Sequence, residues 1–202
     1  MDIARINTKY TNRTQLFKIY NLIRSVGLEV LVDISNLKVL DWMKDKDYEY
    51  VALSFTSSAR QIKEIKKILG SKEIKVIAKI ENKRGIRNFD SILKESDGIM
   101  VARGDLSENI PLGRVPIRQK EILKECKKKR KISITATEML YSLKGHKTPK
   151  NSETSDVANA VFDGSTMVML SEETAVGKYP ANAVKVMKSI IKEAEKNLGR
   201  FC

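Results

Sequence analysis

Short apolar runs alternate with amphipathic segments along almost the whole chain, and no other feature constrains the fold as much. Strands are expected at Ile3–Asn7, Glu29–Asp33, Tyr50–Phe55, Lys75–Ile80, Gly98–Ala102, Ser133–Ala136 and Thr166–Leu170. Helical periodicity covers Gln15–Val26, Ala59–Leu69, Ile86–Lys94, Val115–Lys129, Ser155–Phe162 and Ala181–Leu198. A strict β–α alternation points to a parallel sheet covered by helices. Strands buried on both faces read as near-continuous apolar runs, and IMVA, VIAKI and MVML do so. The fold class is therefore α/β, of the (β/α) barrel kind. Seven strands are recognised where a closed barrel has about eight, so an incomplete or open barrel is expected. The 202 residues are read as a single domain with ample sequence for a core. Between Asp33 and Tyr50 a short helix or loop is expected.

Composition narrows the function classes. The chain is 42% hydrophobic, with no run near the ~18 apolar residues of a membrane span. MDIARINTKY lacks the apolar stretch of a signal peptide. Cys126 and Cys202 show no metal or redox spacing, which favours a reducing cytoplasm. The net charge of +13 raises a nucleic-acid partner. Its cations, however, interleave with Glu on helical segments such as RQIKEIKK and KEILKECKKKRK, the pattern of a solvated surface. No RNP-like, zinc-finger or arginine-rich motif accompanies them.

In a (β/α) barrel the chemistry lies at the C-terminal strand ends. Polar residues gather there: Arg5 and Asn7, Asp33, Lys79 and Glu81, Arg103-Gly104-Asp105, Thr137, Ser171 and Glu173. Glu81 and Asp105 can supply two carboxylates to Mg²⁺, which takes one or two with substrate oxygens and waters. The competing reading has them capping helices or pairing with Arg84, Arg87 or Arg103. Arg103-Gly104-Asp105-Leu106 either opens a turn whose N–H groups face an anion or is an ordinary Gly-Asp turn. Lys79 and Arg5 are candidate oxyanion partners, and the plain alternative for Lys79 is a buried pair with Glu81. His146, the only histidine, falls in the polar stretch KGHKTPK and reads as a loop residue.

KIENKRGIRNFDSILKESDGIMVARGDLS, ITATEML and SDVANAVFDGSTMVMLSEETAVGKYPANAV closely resemble the barrel domain of pyruvate kinase, a TIM-type barrel. DIARINTKYTN, VLVDISNLKV and VALSF extend the match in the family's order. The resemblance implies that Glu81 and Asp105 are the divalent-metal ligands, for Mg²⁺ or Mn²⁺. It implies that Lys79 is the catalytic lysine and that Arg5 contacts the transferring phosphoryl group. Gly104 and Asp105 then form the backbone site for the substrate carboxylate, and Thr137 lies over the methylene carbon. Ser171 and Glu173 match the proton relay, and Asn7 and Asp33 match ligands of the monovalent cation. Glu81 would face a metal while Lys79 turns to a substrate oxygen.

Departures from the family pattern are informative. Lys9 stands where the family has a serine, Ile34 where it has a threonine, and Lys38 where a lysine accompanies K⁺ independence, so a degenerate site that dispenses with K⁺ is expected. Leu40 and Asn151 replace arginines, Glu138 replaces Gln and Glu172 replaces Gly. The family's first strand, its lid domain near Lys38–Trp42 and its C-terminal domain have no counterpart in the sequence. The leading expectation is a reduced enzyme moving a phosphoryl group between phosphoenolpyruvate and ADP. A metal-dependent pyruvate-enolate lyase or aldolase without nucleotide is a second reading. A non-catalytic binding protein is a third, in which a further copy or a partner chain completes the barrel. The implied small molecule is pyruvate or phosphoenolpyruvate; whether a nucleotide binds is left open.

Overall fold

The computed structural model describes residues 1–201, without the side chain of Phe201; the expectation for Cys202 falls outside it. Seven strands form among the described residues: β1 (Ile3–Asn7), β2 (Glu29–Ile34), β3 (Tyr50–Leu53), β4 (Lys75–Ile80), β5 (Gly98–Ala102), β6 (Ile132–Ala136) and β7 (Met167–Met169). The helices are α1 (Arg13–Ser25), α2 (Lys38–Met43), α3 (Ala59–Leu69), α4 (Lys83–Arg87), α5 (Phe89–Glu95), α6 (Arg103–Asn109), α7 (Val115–Lys128), α8 (Asn151–Phe162), α9 (Glu172–Ala175), α10 (Pro180–Lys196) and α11 (Leu198–Phe201). The α/β class and every expected strand are present. The connection after Asp33, expected as a short helix or loop, contains α2. No helix among the described residues is long and apolar enough to cross a membrane.

The chain divides into two compact units, Met1–Ile99 and Met100–Cys202. In the first, β1 to β4 pair in chain order and all in parallel. Val30, Val32, Val51 and Val76 on one face of the sheet and Ile77 on the other are fully buried, as near-continuous apolar strands require. The first helix starts at a capping box. Asn12 Oδ1 accepts from Gln15 N at 2.9 Å, and Gln15 Oε1 accepts from Asn12 N at 3.0 Å. These bonds satisfy two backbone donors at the chain's entry to the helix. Its buried stripe is Leu16, Tyr20 and Ile23, at helical spacing.

In the second unit β6 and β7 pair in parallel. Met139, Leu140, Leu143, Val157, Ala160, Ala183 and Met187 form one core cluster there. The helix expected from Ser155 begins at Asn151 instead. Lys150 N donates to Glu153 Oε2 at 3.0 Å, and Glu153 also accepts from Ser142 N at 2.8 Å. The carboxylate thus anchors both the helix start and the preceding loop, which extends the helix past the apolar periodicity.

Candidate active site

Sheet register builds the first cluster. In a parallel ladder, partner residues lie side by side and residues two apart share a face. Asn7 pairs with Asp33, Asp33 with Ala52, and Ala52 with Ile77. Arg5, Asp33, Ser54, Lys79 and Glu81 therefore share one face near the strand ends.

Asp33 is the hub of that face and is 1% exposed. Its Oδ2 accepts from Arg5 Nε at 2.8 Å and lies 2.6 Å from Arg5 Nη2. Ser54 Oγ donates to Oδ1 at 3.1 Å, and Lys79 Nζ reaches Oδ2 at 3.1 Å. Lys79 also donates to Ser54 Oγ at 3.0 Å. Its third partner is Glu81, with Nζ 2.9 Å from Oε1. Glu81 Oε2 accepts from Phe55 N at 2.5 Å. Lys79 and Glu81 thus meet rather than diverge, because both are buried and a buried charge needs a counter-charge within reach. Two cations and two carboxylates leave the cluster formally neutral. Positive φ at Phe55 (51°) and a Gly85 whose added Cβ would sit 2.7 Å from the Thr56 carbonyl mark a tight turn beside it.

Of the four residues expected at the monovalent-cation position, Asn7 and Asp33 are ladder partners, whereas the side chains of Lys9 and Lys38 are exposed. Asn7 Oδ1 accepts from Lys9 N at 3.1 Å, and the exposed Lys9 ammonium lies 5.6 Å from the Tyr10 ring centre. Lys38 is exposed in α2, and its side chain makes no hydrogen bond or ion pair among the described residues.

The second unit carries its own cluster. Thr137 follows β6 with φ of 70°, and Glu138 follows with φ of 54°. A β-branched residue in that region costs about 1–3 kcal/mol, so the surroundings must enforce it. Thr137 Oγ1 accepts from Gly104 N at 2.8 Å and donates to Ala136 O at 2.5 Å. The Gly104 N–H, expected to face an anion, is engaged by this hydroxyl. Arg103 donates to Thr137 O from Nε at 3.1 Å and from Nη2 at 2.7 Å. Its Nη1 lies 2.8 and 2.7 Å from the two carboxylate oxygens of Asp156. The half-buried Asp105 carboxylate makes no hydrogen bond or ion pair among the described residues.

Beyond β7, Ser171 N donates to Glu173 Oε2 at 2.7 Å, and Leu140 N donates to Oε1 at 3.2 Å. Glu173 is 1% exposed, so its carboxylate ties the end of β7 to the loop after β6. Among the described residues, Ser171 Oγ is buried with no hydrogen-bond partner. His146 is exposed, as its loop position implies.

Ser54 and the pairing of Arg103 with Asp156 are what sequence reasoning did not find. Ser54 was signalled by the lone hydroxyl in VALSF. The sequence places Arg103 in the strand-end Arg103-Gly104-Asp105 turn and offers it as a partner for acids, and it places Asp156 in a helical segment, but it does not join the two.

No group of three or more His, Cys, Asp or Glu side chains able to hold a metal occurs among the described residues. That does not conflict with Mg²⁺, which needs only one or two protein carboxylates beside substrate oxygens and waters.

Comparison with known proteins gives a consistent picture. Residues 13–184 match the family model "Pyruvate kinase, barrel domain". The chain is 42% identical over 173 residues to a pyruvate kinase of Methanocaldococcus jannaschii, covering 85% of this chain and 39% of that protein. It is 41% identical over 197 residues to a pyruvate kinase of Dictyostelium discoideum, covering 96% of this chain and 38% of that one. A cytosolic pyruvate kinase isozyme of Solanum tuberosum is 41% identical over 175 residues, 86% of this chain and 34% of its own length. The chain thus spans well under half the length of these curated relatives.

Proposed function

The chain belongs to the pyruvate kinase family, and from that premise we propose that it carries out the phosphoryl-transfer chemistry of that family, between phosphoenolpyruvate and ADP. The observation that carries this reading is the buried Arg5–Asp33–Lys79–Glu81 cluster. It holds two cations on one sheet face, ready to meet a phosphoryl group and an enolate oxygen. Asp33 and Ser54 fix Lys79 so that its ammonium needs little reordering when charge develops, the condition under which a preorganised cation is most effective.

In this reading the P–O bond to C2 of phosphoenolpyruvate breaks as a terminal oxygen of ADP takes the phosphoryl group. Arg5 and Lys79 offset charge on the moving phosphoryl oxygens, and Lys79 steadies the enolate oxygen left on C2. The backbone at Gly104 and Asp105 orients the substrate carboxylate. Thr137 lies against the methylene carbon, which takes up a proton to give pyruvate, with Ser171 and Glu173 in the relay. The unpartnered Ser171 hydroxyl supports a proton-carrying role.

Glu81 and Asp105 would hold the divalent cation, Mg²⁺ or Mn²⁺. The hard-oxygen donor set fits, and the uncommitted Asp105 carboxylate supports it. When bound, the cation would neutralise charge on the substrate oxygens. The Asn7, Lys9, Lys38 and Asp33 set does not fit a K⁺ site here, because Asp33 is already committed to Arg5, Ser54 and Lys79. We therefore propose K⁺-independent operation, in a cytoplasmic setting and with association between copies as in many multi-subunit enzymes.

A coupled assay of pyruvate release from phosphoenolpyruvate, ADP and Mg²⁺ tests the reading. Turnover that disappears in Lys79→Met is expected. A wild-type chain that releases no pyruvate would overturn it.

A further inference from the structure

Outside the buried acid–base cluster, Arg103 is a densely bonded side chain. It leaves the start of α6, yet its guanidinium chelates the Thr137 carbonyl through Nε at 3.1 Å and Nη2 at 2.7 Å. The opposite edge meets both oxygens of Asp156, on α8, at 2.8 and 2.7 Å. Nη2 also contacts Met139 Sδ at 3.1 Å. The arginine side chain is only 12% exposed, whereas that of Asp156 is 33% exposed. Asp156 is therefore the solvent-side brace that neutralises a guanidinium committed to the interior.

The carbonyl that Arg103 grips belongs to a residue that would not choose its conformation. Thr137 and Glu138 are consecutive non-glycine residues with φ of 70° and 54°. In the left-handed region Cβ crowds the following carbonyl oxygen, so an unrestrained chain would relax toward negative φ. Relaxation would swing the Thr137 carbonyl away from Arg103. It would also carry Oγ1 away from Gly104 N, now 2.8 Å distant. The same guanidinium thus governs both where the Thr137 hydroxyl sits and how the Gly104 amide is aimed.

We propose that Arg103, braced by Asp156, is a positioning residue. It holds the strained Thr137–Glu138 turn so that the Thr137 hydroxyl and the Gly104-Asp105 backbone keep one arrangement. Its effect on catalysis rests on the function proposed above; its effect on the turn does not. Lysine cannot replace it, because a single ammonium cannot chelate the carbonyl and span to the carboxylate together.

The test uses the full chain with Arg103→Ala, Arg103→Lys and Asp156→Asn, each checked for cooperative unfolding. Amide hydrogen exchange read by NMR reports the turn directly. Exchange at Gly104 is expected to speed up at least about 10-fold in both Arg103 variants, while Ile134 and Val168 in the sheet stay within about twofold. Asp156→Asn moves Gly104 the same way by less. Pyruvate release then reports function. A kcat lowered about 10- to 100-fold with KM within about twofold is expected, because misplacement, not binding, is the fault. Free guanidinium ion at millimolar concentration partly restores both readouts in Arg103→Ala. Wild-type Gly104 exchange in folded Arg103→Ala and Arg103→Lys would overturn the proposal. Loosened Gly104 with unchanged kcat would overturn its catalytic half. A wild-type chain without turnover would refute the proposed function alone, and the exchange measurement would still decide the role of Arg103 in the turn.

Discussion

Lys79 Nζ lies 2.9 Å from Glu81 Oε1, with both side chains buried. Removing one partner of a buried pair strands the other, at a cost of roughly 3–5 kcal/mol. Lys79→Met should therefore destabilise the chain by about that amount, as well as remove turnover. Adding Glu81→Gln should recover part of the stability, with a coupling of about 1–3 kcal/mol. Urea unfolding of the two single variants and the double variant measures it. Strict additivity would show that the pair is not coupled.

Asp33 faces Arg5 and Lys79 together, so one carboxylate already serves two cations. A further monovalent cation at that carboxylate would meet repulsion at short range. Pyruvate release is expected to be the same within about twofold in K⁺ and in tetramethylammonium at equal ionic strength. Strong activation by K⁺ would count against this account of the cluster.

Gly177 follows the α9 turn, and a Cβ added there would sit 2.3 Å from the Glu173 carbonyl oxygen. Neither backbone can move without disturbing Glu173, whose carboxylate holds Ser171 N and Leu140 N. Gly177→Ala is expected to cost about 1–3 kcal/mol, the usual penalty of overpacking. Gly145→Ala, where nothing lies within 4 Å of the added carbon, should change stability by no more than about 0.5 kcal/mol. Thermal unfolding of the two variants provides the comparison.

Burial pushes the Glu153 carboxyl pKa up, but hydrogen bonds from the Ser142 hydroxyl, Ser142 N and Lys150 N outweigh it and hold the value below the usual 4.5. A pKa lower in the folded state means that the stabilisation is full above the unfolded value. It is lost as pH falls through the folded value. Glu153→Gln should flatten the acid limb of the stability curve below pH 4.5. At neutral pH it should cost about 1–2 kcal/mol. Chemical denaturation across pH 3–7 (roughly the range in which glutamate charge is gained) checks both statements.

Strand positions were legible because a strand buried on both faces must be apolar along its length, and VIAKI and IMVA are. The gathering of Arg5, Asp33 and Lys79 at strand ends was legible too, but their common face is set by the register of the sheet. What the sequence did not disclose was which partners each charge would take. Lys79 has three oxygen-bearing neighbours in the fold, Asp33, Ser54 and Glu81, and spacing revealed only the last. Arg103 and Asp156 are 53 residues apart, so no local pattern could join them. Left-handed φ at Thr137 was equally hidden, because a β-branched residue gives no local cue for it. The helix at Asn151 began early because Glu153 is held by hydrogen bonds from Ser142 and Lys150, a non-local anchor that periodicity does not register.

Binding of Mn²⁺ in the presence of oxalate, which resembles the enolate of pyruvate, tests the central claim most directly. Electron paramagnetic resonance of the wild-type chain is expected to show one Mn²⁺ site tightened by oxalate and lost in both Glu81→Gln and Asp105→Asn. A wild-type chain whose Mn²⁺ binding does not respond to oxalate, or one in which either variant binds as the wild type does, would contradict the account.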